Sequence, residues 1–131
     1  MLFRSLTTLP AVTAPVIIDG TTQPGYVAQP LIELNGTSAG ANAGLRLLAG
    51  NSTVRGLAIN RFQTDGIDII GPGTNLIAGN YIGTDPTGLI ARPNATEGVL
   101  ISGSSGNVVG GTNVLDRNLI SGNADAGSVP I

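Results

Sequence analysis

"GIDIIGPGTNLIAGNYIGTD", residues Gly66 to Asp85, decides how the whole chain is read. Its apolar runs are short and are cut apart by Gly, Pro and Asn, the punctuation of strands rather than helices. Gly costs about 1 kcal/mol relative to Ala at each helical position. The stretch also has relatives elsewhere in the chain. "GLRLLAG" opens at Gly44 and "GVLISGSSG" at Gly98, matching "GIDIIGPG" at Gly66. "STVRGLAIN" (Ser52 to Asn60) lies under "NLIAGNYIG" (Asn75 to Gly83), and "NVVGG" (Asn107 to Gly111) and "NLIS" (Asn118 to Ser121) continue the series.

Four aliphatic columns result: Leu45, Ile67 and Val99; Leu47, Ile69 and Ile101; Val54, Ile77 and Val109; Ile59, Ile82 and Ile120. Gly56, Gly79 and Gly111 share another position. Gly44 and Gly66 are 22 residues apart, whereas Gly66 and Gly98 are 32 apart because "TDPTGLIARPNATE" (Thr84 to Glu97) intervenes. A unit this short holds three strands and tight turns, with no room for a strand plus a full helix. It predicts coils that stack strand over strand, about 4.8 Å apart. The constant aliphatics face inward. The positions between them vary, as in Arg46, Asp68 and Leu100 or Arg55, Ala78 and Gly110, which is what an outward face looks like. Tyr81 falls in the column of Ala58 and Leu119 and reads as an outward neighbour of inward Ile82. Asn75 with Asn107, and Asn80 with Asn118, read as ladders at the corners.

Composition narrows the chemistry. The 131 residues contain no Cys and no His, and the six positive charges are all Arg, scattered along the chain. A net charge of -2 gives no basic footprint for nucleic acid. The absence of Cys removes disulfides, zinc thiolates and a thiol nucleophile. "MLFRSLTTLPAVTAP" is a poor signal peptide, since Thr7, Thr8 and Pro10 interrupt its apolar run. No segment approaches the ~18 apolar residues of a membrane-spanning helix.

"NLIAGNYIGTDPTG", "GVLISGSSGNVVGGT" and "RNLISGN" together resemble the cassette of large bacterial right-handed parallel β-helix proteins of the pectin-lyase-like superfamily. "VIIDGTTQPGY" (Val16 to Tyr26) and "PLIELNG" (Pro30 to Gly36) resemble the coil before it, so the likeness runs from about Pro10 to the end. The resemblance implies an all-β, right-handed parallel β-helix, a solenoid of ~22-residue three-strand coils forming one segment over residues 1–131. Handedness also follows from the rule for parallel crossovers. "GSVPI" (Gly127 to Ile131) reads as the start of a further strand, so the expectation is a fragment whose partners include further β-helix coils of the parent chain. The resemblance implies a secreted or cell-surface location. The functional expectation is a structural or adhesive segment that contacts polysaccharide or a cell-surface glycan. The alternative is a polysaccharide lyase or glycoside hydrolase. No lyase motif is present, and no catalytic residue is carried over.

Two clusters are candidate sites. The residues before the repeat glycines are Ala43, Asp65, Glu97 and Ala126, so Asp65 and Glu97 stack on adjacent coils. Asp68 lies on the same strand, with Arg46 one coil away as the partner for a surface ion pair. Asp65, Asp68 and Glu97 are the candidate ligands of a calcium ion, because hard cations take clustered carboxylates. Two of these carboxylates are also the minimal equipment of a glycosidase. The second cluster is the insertion Thr84 to Glu97. There Asp85, Arg92 and Asn94 are the candidate ligand-binding residues of a loop projecting from a rigid scaffold.

Overall fold

The computed structural model describes residues 1–124. It is all-β, with twelve short strands: β1 (Leu2–Arg4), β2 (Ile17–Asp19), β3 (Ile32–Asn35), β4 (Leu45–Leu47), β5 (Thr53–Arg55), β6 (Leu57–Asn60), β7 (Ile67–Ile70), β8 (Leu76–Ala78), β9 (Tyr81–Ile82), β10 (Val99–Ser102), β11 (Val108–Val109) and β12 (Leu119–Ile120). Helix among the described residues is limited to two 3-10 turns, Gly20–Thr22 and Val114–Asp116. No helix among them is long and apolar enough to cross a membrane.

Three parallel sheets take the strands in rotation. The first sheet runs β1-β3-β6-β9-β12, the second β4-β7-β10, and the third β2-β5-β8-β11. An isolated parallel bridge from Val12 to Leu47 adds a first rung to the second sheet. Each circuit of the chain therefore lays one strand on each sheet, above the strand of the circuit before. This arrangement is compatible with a β-helix.

The register is the one the repeat predicts. Leu45 pairs with Ile67 and Ile67 with Val99; Leu47 pairs with Ile69 and Ile69 with Ile101. Val54, Ile77 and Val109 are in line, as are Ile59, Ile82 and Ile120. Leu47, Val54, Ile59, Ile67, Ile69, Ile77 and Ile82 are fully buried and form the core with Phe62 and Leu57. Each such side chain contributes roughly 1.5–3 kcal/mol by leaving water. Tyr81 stands half-buried between Ala58 and Leu119 in register, as the alternation requires.

Why glycine opens each repeat is steric. A Cβ on Gly44 would sit 2.6 Å from the Gly66 carbonyl oxygen, and one on Gly66 would sit 2.7 Å from that of Gly98. Stacked backbones approach too closely here for any side chain. Gly56 and Gly79 answer a different need, a left-handed backbone with φ of 72° and 67°. In the last circuit it is Gly110, with φ 103°, that takes this conformation, one place before the predicted Gly111.

Asparagine ladders hold the corners. Asn80 Oδ1 accepts from Leu57 N at 3.1 Å, and Asn80 Nδ2 donates to Val54 O at 2.9 Å. Asn118 Oδ1 in turn accepts from Asn80 N at 2.9 Å. Asn75 and Asn107 repeat the pattern above Ser52. These side chains satisfy backbone groups that the turns leave buried and unpaired.

One strand lies beyond the sequence reading. Leu2–Arg4, in the segment weighed as a leader, is a strand paired with Glu33–Asn35. The predicted strand at Gly127–Ile131, and Ala126 in the acidic column, lie outside the described residues.

Candidate functional site

The corner before β7 and β10 brings the acidic residues together. Asp65 is buried, 5% exposed. It accepts a hydrogen bond from Glu97 N at 2.9 Å and another from the Thr96 hydroxyl. Asp68 lies on the outward side of β7, level with Arg46 on β4 and Leu100 on β10. Its carboxyl lies near enough to that of Asp65 for each to shift the other's proton affinity. Asp68 Oδ1 is nevertheless buried with no protein donor to satisfy it. Two ionised carboxylates offer four acceptors and no donor, so a proton between them is the simplest way to complete the pair.

The electrostatics agree with that geometry. Burial pushes Asp68 up to about 7, reinforced by the hydrogen bond and the charge of Asp65 and opposed by the Arg46 guanidinium. Burial also acts to raise Asp65, but hydrogen bonds from Asp68, Glu97 and Thr96 outweigh it and hold Asp65 below its ordinary value. Below about pH 7 the proton therefore sits on Asp68, with Asp65 the more readily ionised of the two.

Among the described residues no group of three or more acidic, His or Cys side chains is placed to hold a metal, and Asp65 is already engaged by protein donors. The expected Arg46–Asp68 ion pair is not formed. Ion pairs among the described residues include Arg55–Asp116 at 2.6 Å and Arg61–Glu33 at 3.4 Å. A carboxyl that shares its proton with Asp65 offers Arg46 little charge to pair with.

The consequence is a pH dependence of known sign. A carboxyl whose folded pKa is raised stabilises the fold fully below its unfolded value near 3.8, and that stability is lost as pH rises through about 7. Asp68→Asn, whose amide can donate to Asp65, is expected to abolish this loss. The variant should be more stable than the parent at pH 8 by about 1–3 kcal/mol, the cost of a buried unsatisfied group. Urea denaturation at pH 5 and pH 8 checks it. A parent whose stability does not fall between those values contradicts the shared proton.

The insertion divides its three candidates among different roles. Asp85 caps its own turn, Oδ1 accepting from the Thr87 hydroxyl at 2.6 Å and from Ile90 N at 3.4 Å. The Thr87 hydroxyl holds its pKa below the ordinary value. Asn94 is fully buried. Its Oδ1 accepts from Phe62 N at 3.1 Å, and its Nδ2 donates to Ile59 O at 3.2 Å and to Asn123 Oδ1 at 2.9 Å. It is a rung of a third corner ladder and presents no polar group outward. Of the three, Arg92 alone borders the space between the insertion and the neighbouring corner.

That space is a wide groove of about 910 Å³ where the insertion lies beside the corner after β6. Its polar lining comprises Arg61, Arg92, Gln63 and Thr37, with Phe62 and Pro93 among its apolar lining. Among the described residues no acidic side chain lines it. Arg61 takes a left-handed backbone, φ 61°, which a non-glycine residue adopts at a cost of about 1–2 kcal/mol. Its guanidinium is braced by Glu33 on β3. Sequence reading found Arg92 and missed Arg61, Gln63 and Thr37. Arg61 follows the last residue of a strand and carries no motif, so its only signal was its place one residue past "LAIN".

No protein-family model matches the chain, and neither does any curated protein or solved structure.

Proposed function

We propose that the chain is a segment of a right-handed parallel β-helix of the pectin-lyase-like kind. In this reading it serves as a structural or adhesive scaffold of a secreted or cell-surface protein and contacts acidic carbohydrate through the groove beside the insertion. The rotation of strands through three parallel sheets supports the fold assignment, and right-handedness follows from the near-universal hand of parallel crossovers. The single observation that carries the ligand is the pairing of Arg61 and Arg92 on a groove that no acidic side chain lines among the described residues. Guanidinium groups match carboxylates in shape and charge, and the open form of the groove suits an extended chain better than an enclosed small molecule. The secreted or surface setting rests on the sequence resemblance.

A second reading, a polysaccharide lyase or hydrolase, draws on the protonated Asp68 as an acid near neutral pH. Against it stands the hydrogen bond that ties this acid to Asp65.

The test is titration with a soluble oligouronate. Arg92→Gln is expected to weaken binding about tenfold or more, the loss of one charge-assisted hydrogen bond. Added salt should weaken parent binding as well. Equal affinity of parent and variant removes the groove from the account.

A further inference from the structure

The corner between the third and first sheets is turned tightly in the two middle circuits and loosely in the outer two. Gly56 alone joins β5 to β6, and Gly79 with Asn80 joins β8 to β9. Residues 20–31 join β2 to β3, and residues 110–118 join β11 to β12. The long connections stand as walls beside the tight corners, and the space between them is a groove that crosses from the third sheet to the first. It consists of two hollows of about 430 and 390 Å³, both lined by Val114 and Leu115. Thr21 and Tyr26 of one wall, Asn113 and Asp116 of the other and Arg55 of the floor line the first hollow. Ala28 of one wall, Arg117 of the other and Gly79 and Tyr81 of the floor line the second. Further coils at either end of the chain extend the stack beyond these walls, not into the space between them.

The chain has two tyrosines, and both line this groove. Each is half-buried, with part of its ring open to the groove. Burial first, and then the neighbouring Tyr81 phenol, raise the Tyr26 pKa above its ordinary value. Gly88 of the insertion lies against the Tyr81 ring, where a Cβ would sit 3.1 Å from Cε2. Arg55 pairs with Asp116 Oδ1 at 2.6 Å, and Asn113 Nδ2 donates to Asp116 Oδ2 at 3.2 Å. Their charges cancel inside the first hollow, and Arg117 adds a positive charge in the second. We infer that the groove binds a neutral glycan, a pyranose chain with equatorial hydroxyls whose C–H faces stack on Tyr26 and Tyr81 and whose hydroxyls meet the Arg55–Asp116 pair. Such a sugar is apolar on its faces and polar around its rim, and an aromatic ring beside a neutralised ion pair offers the same division. A peptide strand needs free backbone groups along a sheet edge. Here Gly79 N donates to Asp116 O at 3.1 Å, Leu119 N to Asn80 O at 2.8 Å and Arg117 N to Val114 O at 3.3 Å. Side-chain ends are therefore what the groove presents among the described residues. It shares no lining residue among them with the groove beside the insertion, whose proposed ligand is acidic.

Tyrosine fluorescence reads this groove directly, because the chain has no Trp and both its tyrosines are here. Titration of the 131-residue chain with cellohexaose, a neutral β-1,4-linked chain with equatorial hydroxyls, is expected to change the emission saturably. The affinity should not fall with added salt, since no net charge is paired. Tyr26→Leu and Tyr81→Leu keep apolar bulk at half-buried positions but lose the flat ring. Calorimetry should show each weakening binding about fivefold or more, whereas Tyr81→Phe, which keeps the ring, should stay within about threefold of the parent. Arg92→Gln should leave cellohexaose binding unchanged, and an oligouronate held at the other groove should leave the tyrosine emission unchanged, so either groove can fail without the other. A parent that gives no saturable response to cellohexaose overturns the inference. So does binding that survives both leucine substitutions at full strength, or a response elicited by a polyproline peptide and not by cellohexaose.

Discussion

Asn80→Ala is expected to lower folding stability by about 2–5 kcal/mol, because it strips partners from two buried backbone groups at once. Leu57 N loses the Oδ1 acceptor at 3.1 Å and Val54 O loses the Nδ2 donor at 2.9 Å. The side chain is fully buried, so water cannot take its place without opening the corner. Against a typical total of ~5–15 kcal/mol, this single truncation removes a large share of the stability. Asn42→Ala is the control. Asn42 is exposed and makes one side-chain bond, to the Thr8 hydroxyl at 2.9 Å, so its loss should stay within about 0.5 kcal/mol. Denaturant midpoints of the two variants and the parent decide the matter. Equal shifts would falsify the claim that the corner ladders hold the circuits together.

Gly66→Ala should cost about 3 kcal/mol through backbone crowding alone. The added methyl would lie 2.7 Å from the Gly98 carbonyl oxygen and 2.7 Å from Ile82 Cγ2. The oxygen belongs to the next circuit, so relief requires the stack to part. Gly71→Ala separates this effect from backbone strain. Nothing lies within 4 Å of a methyl there, and its φ of 81° carries the only penalty, about 1–2 kcal/mol. The same denaturation series should therefore rank Gly66→Ala below Gly71→Ala in stability. The reverse order would mean that the circuits are spaced more loosely than the register implies.

These two residue types also show why much of the fold could be read from the sequence. A column buried against the column above it admits only aliphatic residues, so Leu47, Ile69 and Ile101 align by eye. A backbone crossing with no room for Cβ admits only Gly, which marks Gly44, Gly66 and Gly98. Both constraints repeat with the circuit, and repetition is visible without coordinates. The third ladder escaped because the insertion Thr84 to Glu97 displaces Asn94 from the common spacing, and a buried rung was read as part of an exposed loop. The first circuit escaped because Leu2–Arg4 carries no repeat glycine and is followed by Thr7, Thr8 and Pro10.

At the candidate site the sequence placed Asp65, Asp68 and Glu97 at one corner but not the state of their protons. That state depends on burial and on the distance between two carboxyls, neither of which a column of letters encodes. The same holds for Arg61. Its partner Glu33 lies on the strand beneath, and its groove mate Arg92 comes from the insertion, so only the stacked circuits bring Arg61 and Arg92 to one groove.

The most direct test of the account is one titration of the 131-residue chain with a soluble oligouronate, following heat of binding and chain scission in the same sample. A scaffold with a basic groove predicts saturable, salt-sensitive binding, weakened by Arg92→Gln and accompanied by no cleavage. Turnover that is lost in Asp65→Asn or Asp68→Asn while the fold persists would contradict it, and would make the proton-sharing pair the centre of an enzyme.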